Sequence, residues 1–279
     1  IPRSIVIVGL FFTGCTQGPD YRPYSASDLA LPGQYIDGSD EVSSHDIAEW
    51  WSQFDDPVLA ELIDTALSEN LDIAQSAALV VRARESLIQS GADQMPAIGF
   101  SSSSGRNFYS EASDSWSFSR SIDASWSADI FGGLKRSTQA ALASYQAAGY
   151  SLANIRTLIA AELARNYVTV RSLQNRLLIA EDSLRNQESN LQIAKWRAQA
   201  GLVSSVDVEQ AKAQRAQTAA IIPLLEQSEA AARYRLAVLT GKAPGAVDGL
   251  LGDDDRLPAI PDFIARGAPA NILRQCPDI

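Results

Sequence analysis

Hydrophobic and polar residues alternate in one short stretch of the chain, residues 116–131 (WSFSRSIDASWSADIF). Up to residue 130, the even-numbered positions are apolar apart from Arg120, and the odd-numbered positions are Ser or Asp. Alternation with a period of two predicts a β-strand with one apolar and one polar face. A serine-rich run precedes it (AIGFSSSSGRNFY, 97–109), and the residues between the two runs are typical of turns. The sequence therefore predicts an antiparallel β-hairpin.

The hydrophobic period changes after Gly132 and Gly133. From Leu134 to Ala200 the chain has no proline, and apolar residues occupy 13 of the 17 a and d positions of an unbroken heptad pattern. Such a pattern predicts one continuous coiled-coil helix rather than several short ones. At 1.5 Å per residue this helix would be roughly 100 Å long.

Residues 195–214 (KWRAQAGLVSSVDVEQAKAQ) predict a tight turn between this helix and a second one. Gly201 can adopt the left-handed conformation that ends a helix. Ser204 and Asp207 match the capping box that begins the next helix. We therefore expect a helical hairpin with Leu202 and Val203 at its tip.

Two further helices follow from the same kind of pattern. An alanine-rich segment from Pro57 to Ser90 predicts one long helix, with Asp56 as the N-cap and Pro57 at the first helical position. The return helix after the tip is predicted from Ser205 to Thr240, with a kink at Pro223.

The N-terminal residues (IPRSIVIVGLFFTGC) have the order of a bacterial lipoprotein signal. The apolar run Ile5–Phe12 is too short to span a membrane as a helix, and small residues lead from it into Cys15. This arrangement resembles a lipobox, so we expect Cys15 to be lipid-modified after signal cleavage and to anchor the protein to a membrane. The alternative is a buried N-terminal helix with an incidental cysteine.

Composition excludes several classes of function. The formal net charge is −10, and residues 16–72 carry most of it, with 13 acids and one base. No basic patch is present for nucleic acid. A single histidine, His45, argues against a His-based metal site or catalytic triad, and no phosphate-binding loop is found. We therefore expect no enzyme activity, no metal site and no cofactor.

The apolar face of the predicted strand has two possible partners. It could pack on the helices of the chain itself, or it could face lipid, since a transmembrane strand needs about 9–11 alternating residues with aromatics near its ends. In the lipid interpretation the Ser/Asp face lines water, and Arg120 lies near an interface. The membrane-facing residues would be Trp116, Phe118, Ile122, Trp126 and Phe131.

Five motifs in order along the chain resemble one known family, the TolC-like outer-membrane efflux factors, in particular their lipoprotein branch of the OprM/NodT type. These motifs cover essentially the whole chain: GPDYRP (18–23), WWSQFDDPVLAELIDTALSENLDIAQSAALVVRAR (50–84), SWSADIFGG (125–133), the tip at 195–214 and LRQCPDI (273–279). One departure is Cys276, which stands where the family usually has Arg.

The resemblance implies a mainly α fold with a β-hairpin, in which long coiled-coil helices of a periplasmic α-barrel continue into a transmembrane β-barrel. Family chains form trimers, and each chain gives four strands to a twelve-stranded barrel. This sequence contains the first of two such repeats. We therefore expect it to be the N-terminal part of a longer chain, the alternative being a barrel of six copies.

The resemblance also implies a passive duct through the outer membrane and periplasm, used by tripartite systems for drugs or other small molecules. An inner-membrane pump supplies the energy, and a periplasmic adaptor docks on the open end of the tube. The residues expected to contact the adaptor lie at the helical tip: Arg197, Gly201, Leu202, Val203, Ser204 and Asp207. The need to cap the two helices accounts for the same residue types, and one residue can take part both in a cap and in adaptor docking.

The expected organisation has six parts: a signal-peptide remnant (1–14), a lipidated tether (15–45), a first helical segment (46–95), a transmembrane β-hairpin (96–131), the long helical hairpin (132–242), and a linker with the truncated start of a second repeat (243–279). The competing hypothesis is a lipid-anchored coiled-coil scaffold or adaptor of the cell envelope without a channel. A scaffold has no need of a lipid-facing strand, so the hairpin distinguishes the two.

Overall fold

A computed structural model describes residues 22, 47–107, 115–252 and 256–259. A 3-10 helix (Ile47–Phe54) is followed by α1 (Pro57–Glu69), α2 (Leu71–Ala92), β1 (Ala97–Asn107), β2 (Ser115–Ser125), α3 (Gly133–Gln199), α4 (Ser205–Leu239) and α5 (Asp248–Leu251). The predicted lipidation site at Cys15 and the motif around Cys276 lie outside the described residues.

The chain divides into two compact units. Among the described residues, one contains residues 22, 77–107 and 115–150, and the other contains residues 47–76, 151–252 and 256–259. Among the described residues, no helix is both long and apolar enough to cross a membrane.

The first unit contains the predicted β-hairpin. Strands β1 and β2 pair antiparallel, from Ala97 opposite Ser125 to Asn107 opposite Ser115. The paired strand ends at Ser125 although the alternation of the sequence continues to residue 130. Trp126 and Phe131 therefore lie beyond the strand, in the connection to α3.

The long helix α3 confirms the heptad prediction. It is continuous over 67 residues, one residue earlier at each end than the sequence suggested. All of the 17 predicted a and d positions except Leu142 and Arg156 are buried or half-buried. Full burial is confined to the middle of the helix, between Ile159 and Gln174.

The prediction of one helix from Pro57 to Ser90 was wrong, because the structure has two helices separated at Asn70. The backbone of Asn70 is extended, and its side-chain Oδ1 accepts hydrogen bonds from the N–H groups of Asp72 and Ile73 at 2.9 and 3.1 Å. Its Nδ2 donates to the carbonyl of Leu239 at 2.8 Å. Asn70 thus caps α2 and ties the break to the end of α4, a long-range bond that a helical pattern does not reveal.

An apolar core holds the second unit together. The apolar face of α1 packs with residues of α3, α4 and α5 in one cluster. The large apolar side chains that are almost completely buried are Leu59, Leu62, Ile63, Leu163, Tyr167, Val170, Leu236 and Leu251. Burial of a Leu or Ile side chain stabilises the fold by about 1.5–3 kcal/mol, so this cluster anchors the middle of α3.

A buried polar network crosses the same core. Asp56 caps α1 through its Oδ1, which accepts from the N–H groups of Val58 and Leu59, both at 3.0 Å. Its Oδ2 accepts from the hydroxyl of Tyr167 at 2.7 Å, and that hydroxyl accepts from Nε of Arg171 at 3.1 Å. The network therefore joins the start of α1 to the middle of α3.

Arg171 extends this network to α5. Its guanidinium Nη1 donates to the carbonyl of Leu251 at 2.7 Å and to Oε1 of Gln174 at 3.2 Å. Arg171 is only 3% exposed. Burial, followed by the hydrogen bond to Asp56, raises the pKa of Tyr167 to about 12. Arg171 therefore donates to the hydroxyl of a neutral tyrosine, to a side-chain amide and to a backbone carbonyl.

Helix α4 begins at the predicted Ser205, ends at Leu239, one residue before the predicted end, and continues through Pro223. Gly241 follows it with a φ of 66°. The N–H of Gly241 donates to the carbonyl of Val238, and the N–H of Lys242 donates to that of Ala237, at 3.1 and 2.8 Å. These bonds form the Schellman motif that a glycine in this conformation allows.

Candidate functional site

The β-hairpin presents large apolar side chains on one face. Cross-strand partners such as Phe100 and Ile122 share that face. Both are at least 70% exposed, and Ile98 and Phe118 are similarly exposed. The rings of Trp116 and Phe118 stack with centroids 6.2 Å apart. A contiguous apolar surface of this kind marks a membrane or protein contact.

Two of the predicted membrane-facing residues lie beyond the strand and are exposed. Trp126 and Phe131 are 62% and 78% exposed. The indole N–H of Trp126 donates to the carbonyl of Gln94 at 3.1 Å, which fixes the ring beside the start of the hairpin. The structure thus places Trp116, Phe118 and Ile122 on β2, and it places Trp126 and Phe131 in the connection between β2 and α3.

Two arginines lie on the apolar face. Arg120 is opposite Ser102, and Arg106 is opposite Trp116. The guanidinium of Arg106 lies 5.6 Å from the centre of the Trp116 ring, a cation–π contact. The face therefore has a purely apolar half near the helices, around Phe100 and Ile122, and a mixed half toward the pair of Asn107 and Ser115.

The opposite face of the hairpin is small and polar. The hydroxyls of Ser101 and Ser121, which are cross-strand partners, share a hydrogen bond of 2.7 Å. The hydroxyl of Ser117 donates to the carbonyl of Gly105 at 3.3 Å. This face carries short side chains that suit contact with water.

A hydrogen-bonded joint connects the hairpin to the helices. The carboxylate of Asp129 accepts from the N–H of Lys135 at 2.9 Å in the first turn of α3. Near the end of α2, Nε2 of Gln94 donates to the hydroxyl of Thr138 at 2.6 Å, and that hydroxyl donates to the carbonyl of Ser90 at 3.0 Å. The strands are thus fixed to the ends of α2 and α3 within the first unit.

The tip of the helical hairpin has the predicted caps. Gly201 has a φ of 71°. Its N–H donates to the carbonyl of Ala198 at 3.0 Å, and the N–H of Leu202 donates to that of Arg197 at 2.8 Å. This Schellman motif ends α3 and leaves Leu202 74% exposed at the apex.

Ser204 and Asp207 begin the return helix. The carboxylate of Asp207 accepts from the N–H and from the hydroxyl of Ser204, both at 2.8 Å. These hydrogen bonds, the hydroxyl first, hold the pKa of Asp207 below its ordinary value. A lowered pKa in the folded state stabilises the tip at neutral pH, and this contribution is lost as the pH falls through that lowered value.

Sequence reasoning missed two exposed apolar residues beside the tip. Trp196 is 60% exposed near the end of α3, and Val206 is 61% exposed at the start of α4. Trp196 occupies an f position of the heptad, which points away from the a and d stripe. A tryptophan at such a position was the signal that could have identified it. Together with Leu202, these residues make the tip apolar.

The tip offers a matched pair of glycine substitutions. Gly201→Ala is expected to destabilise the protein by about 1–2 kcal/mol, because an L-residue with this positive φ is strained. A Cβ at Gly201 meets nothing within 4 Å, so the effect is purely conformational. Gly149→Ala, also in open space but inside α3, is expected to stabilise the protein by about 0.5–1 kcal/mol. Thermal unfolding followed by circular dichroism measures the stability of both variants. Changes in melting temperature of the same sign would contradict the left-handed conformation at Gly201 or the helical conformation at Gly149.

No group of three or more His, Cys, Asp or Glu residues is placed to hold a metal ion in the part of the chain that the structure describes. The candidate functional surfaces among the described residues are the two faces of the hairpin and the apolar tip.

Comparison with known proteins gives a consistent result. Residues 62–242 match the family described as "Outer membrane efflux protein". The chain is 28% identical to "Nodulation protein T" of Rhizobium leguminosarum bv. trifolii over 97% of its length. It is 30% identical to the "Pyoverdine export outer membrane protein OpmQ" of Pseudomonas aeruginosa over 91% of its length.

Solved structures give the same answer for the fold. The outer-membrane channel OprN matches 95% of the chain with a TM-score of 0.78 and 31% identity. CusC, described as undergoing transmembrane channel formation, matches 82% with a TM-score of 0.65 and 26% identity. The chain spans 58% and 56% of the two sequence relatives and 60% and 52% of these two structures.

Proposed function

The chain belongs to the outer membrane efflux protein family, and from this premise we propose that it is part of the outer-membrane channel of a tripartite efflux or secretion system. The channel conducts small molecules passively from a pump–adaptor complex to the exterior. Its fold, long coiled-coil helices with a β-hairpin, is that of the solved relatives.

The β-hairpin is the observation that supports this function most directly. Its two faces differ sharply, with exposed Ile98, Phe100 and Ile122 on one and serines on the other. This difference is expected of a strand in a membrane barrel, whose apolar face contacts lipid and whose polar face contacts water. Two strands leave open edges, which lipid does not tolerate, so strands from other parts of the assembly must close the barrel. Trp116, Phe118, Ile122, Trp126 and Phe131 are the lipid-facing residues in this proposal.

The helices of a single chain leave apolar residues uncovered, which supports a homo-oligomer. Exposed examples are Ile179 on α3 and Leu224 and Val238 on α4. In α3, full burial ends at Gln174, and the a and d positions from there to the tip are only half-buried. Neighbouring copies would cover these positions, and we propose the trimer that the sequence resemblance implies.

The tip is the proposed docking surface for a periplasmic adaptor. Its exposed Leu202, flanked by Trp196 and Val206, offers an apolar contact at a rigidly capped apex. The proposed docking residues are the six named from the sequence: Arg197, Gly201, Leu202, Val203, Ser204 and Asp207. An energised inner-membrane pump completes the proposed system.

The proposed location is the outer membrane, with the helices in the periplasm. A lipid anchor on Cys15 would hold the N-terminus at the same membrane. Mass spectrometry of the N-terminal peptide of the native protein would show the acyl groups.

Conductance and transport test the function together. The protein expressed from its complete gene is expected to form stable channels in planar lipid bilayers and to restore efflux in cells that lack it. Leu202→Asp is expected to leave conductance unchanged and to lower efflux about tenfold or more, since a buried carboxylate without a partner costs over 1.4 kcal/mol at an interface. Gln192→Asp, an exposed site two turns before the tip, is the matched control.

The outcomes separate the alternatives. A wild-type protein that reaches the envelope, supports no conductance and restores no efflux would favour the lipid-anchored scaffold. A conducting Leu202→Asp variant with full efflux would remove Leu202 from the docking surface without affecting the channel.

A further inference from the structure

We propose that Asp123 makes the barrel section of this channel selective for small cations over small anions. The inference rests on the proposed channel function and adds a specificity-determining residue to it. It concerns the water-facing side of the hairpin, which contributes one Asp123 carboxylate for every copy of the chain.

The two faces of the hairpin carry opposite charges. Residues that pair across the strands share a face, so the polar face contains the odd-numbered positions of β1 and β2. Among these positions in the described strands, 97–107 and 115–125, Asp123 is the single ionisable residue, and the others are Ser, Gly, Ala or Asn. Both strand arginines, Arg106 and Arg120, lie on the apolar face.

The carboxylate of Asp123 lies close against the opposite strand. Its partner in the register is Gly99. A Cβ at position 99 would approach Oδ2 of Asp123 to 2.5 Å. The absence of a side chain at Gly99 therefore provides the space that the carboxylate occupies. The charge is therefore held along the barrel wall and does not project across the opening.

The short neighbours of Asp123 leave its charge uncompensated on the polar face. Ser121 and Ser125 flank it on the same side of β2, and Ser101 follows Gly99 on β1. Serine hydroxyls carry no charge that would neutralise it. Rings of Asp or Glu side chains are the usual origin of cation selectivity in wide pores. One carboxylate from each copy forms such a ring when the barrel closes around water.

Reversal potentials in a KCl gradient test this assignment. The protein expressed from its complete gene is expected to pass K⁺ more readily than Cl⁻. Asp123→Asn is expected to lower the permeability ratio about sevenfold if the carboxylates set a potential of about kT/e, because that potential raises the local K⁺ concentration and lowers that of Cl⁻ by about 2.7-fold each. The difference is expected near 0.1 M salt, where the screening length is about 10 Å, and to vanish near 1 M, where it is about 3 Å.

Arg120→Gln is the matched control, because it removes one charge from the neighbouring part of the same strand on the other face. It is expected to leave the permeability ratio unchanged. A ratio that rises in Arg120→Gln and stays constant in Asp123→Asn would overturn the proposal and place the arginine face in the lumen. Unchanged ratios in both variants would also overturn it. Absence of conductance in the wild type would instead refute the proposed channel function.

Discussion

Replacing Arg171 by Ala is expected to lower the free energy of unfolding by about 2–4 kcal/mol, because hydrogen bonds to a charged group contribute about 1.5–3 kcal/mol each and a buried acceptor left unpaired costs about 1–3 kcal/mol. Arg171 donates to the Tyr167 hydroxyl, to Gln174 and to the carbonyl of Leu251. Its loss leaves that buried carbonyl without this donor and opens a cavity beside α5. Urea unfolding in detergent micelles, followed by tryptophan fluorescence, measures the change.

A matched control lies five residues further along the same helix. Arg176 is exposed, and Arg176→Ala makes the same chemical change outside the core. It is expected to change stability by no more than about 0.5 kcal/mol. Equal effects of the two substitutions would show that the buried network does not carry the stability assigned to it.

The tyrosine of this network gives a second, pH-dependent readout. The pKa of Tyr167 is raised to about 12 in the folded state from 10.0. The stability that the neutral tyrosine contributes is therefore fully present below pH 10, and it is lost as the pH rises through about 12. Tyr167→Phe is expected to remove this alkaline loss of stability. It should also destabilise the protein at neutral pH, by less than Arg171→Ala does, because the arginine keeps its bond to Leu251.

The elements with regular periods were predictable from the sequence. The alternation between Trp116 and Ser125 gave the strand, and the heptads after Gly133 gave a helix correct to one residue at each end. Both patterns arise because one face of each element is apolar, which is a local property. The tip was equally predictable, since Gly201 and the pair Ser204 and Asp207 have conformational preferences that do not depend on distant residues.

The features that were missed depend on contacts distant in sequence. Asn70 interrupts a helical pattern because its amide bonds to Leu239, 169 residues away. Arg171 occupies a b position of the heptad, where a charged residue normally faces water, and it is buried because α5 covers it. Only the folded arrangement reveals such partners.

Charge on the apolar face of the hairpin is expected to prevent assembly. Ile122 lies in the part of that face that is apolar on both strands, opposite Phe100. Ile122→Lys is expected to cost about 2–4 kcal/mol in each copy, the penalty for a lysine facing lipid near the middle of the membrane. Because every copy in the barrel carries the substitution, the cost is multiplied, and the stable oligomer in outer-membrane fractions should largely disappear.

Ser121→Lys is the matched control, because it introduces the same side chain one residue earlier, on the face toward water. It loses only the hydrogen bond to Ser101, which contributes about 0.5–1.5 kcal/mol, so the oligomer is expected to form. Semi-native electrophoresis of purified outer membranes compares the two variants. Assembly of Ile122→Lys together with failure of Ser121→Lys would reverse the assignment of the faces. Normal assembly of both would mean that the hairpin does not face lipid, because a pleated strand places adjacent residues on opposite sides and only one of the two lysines can remain in water.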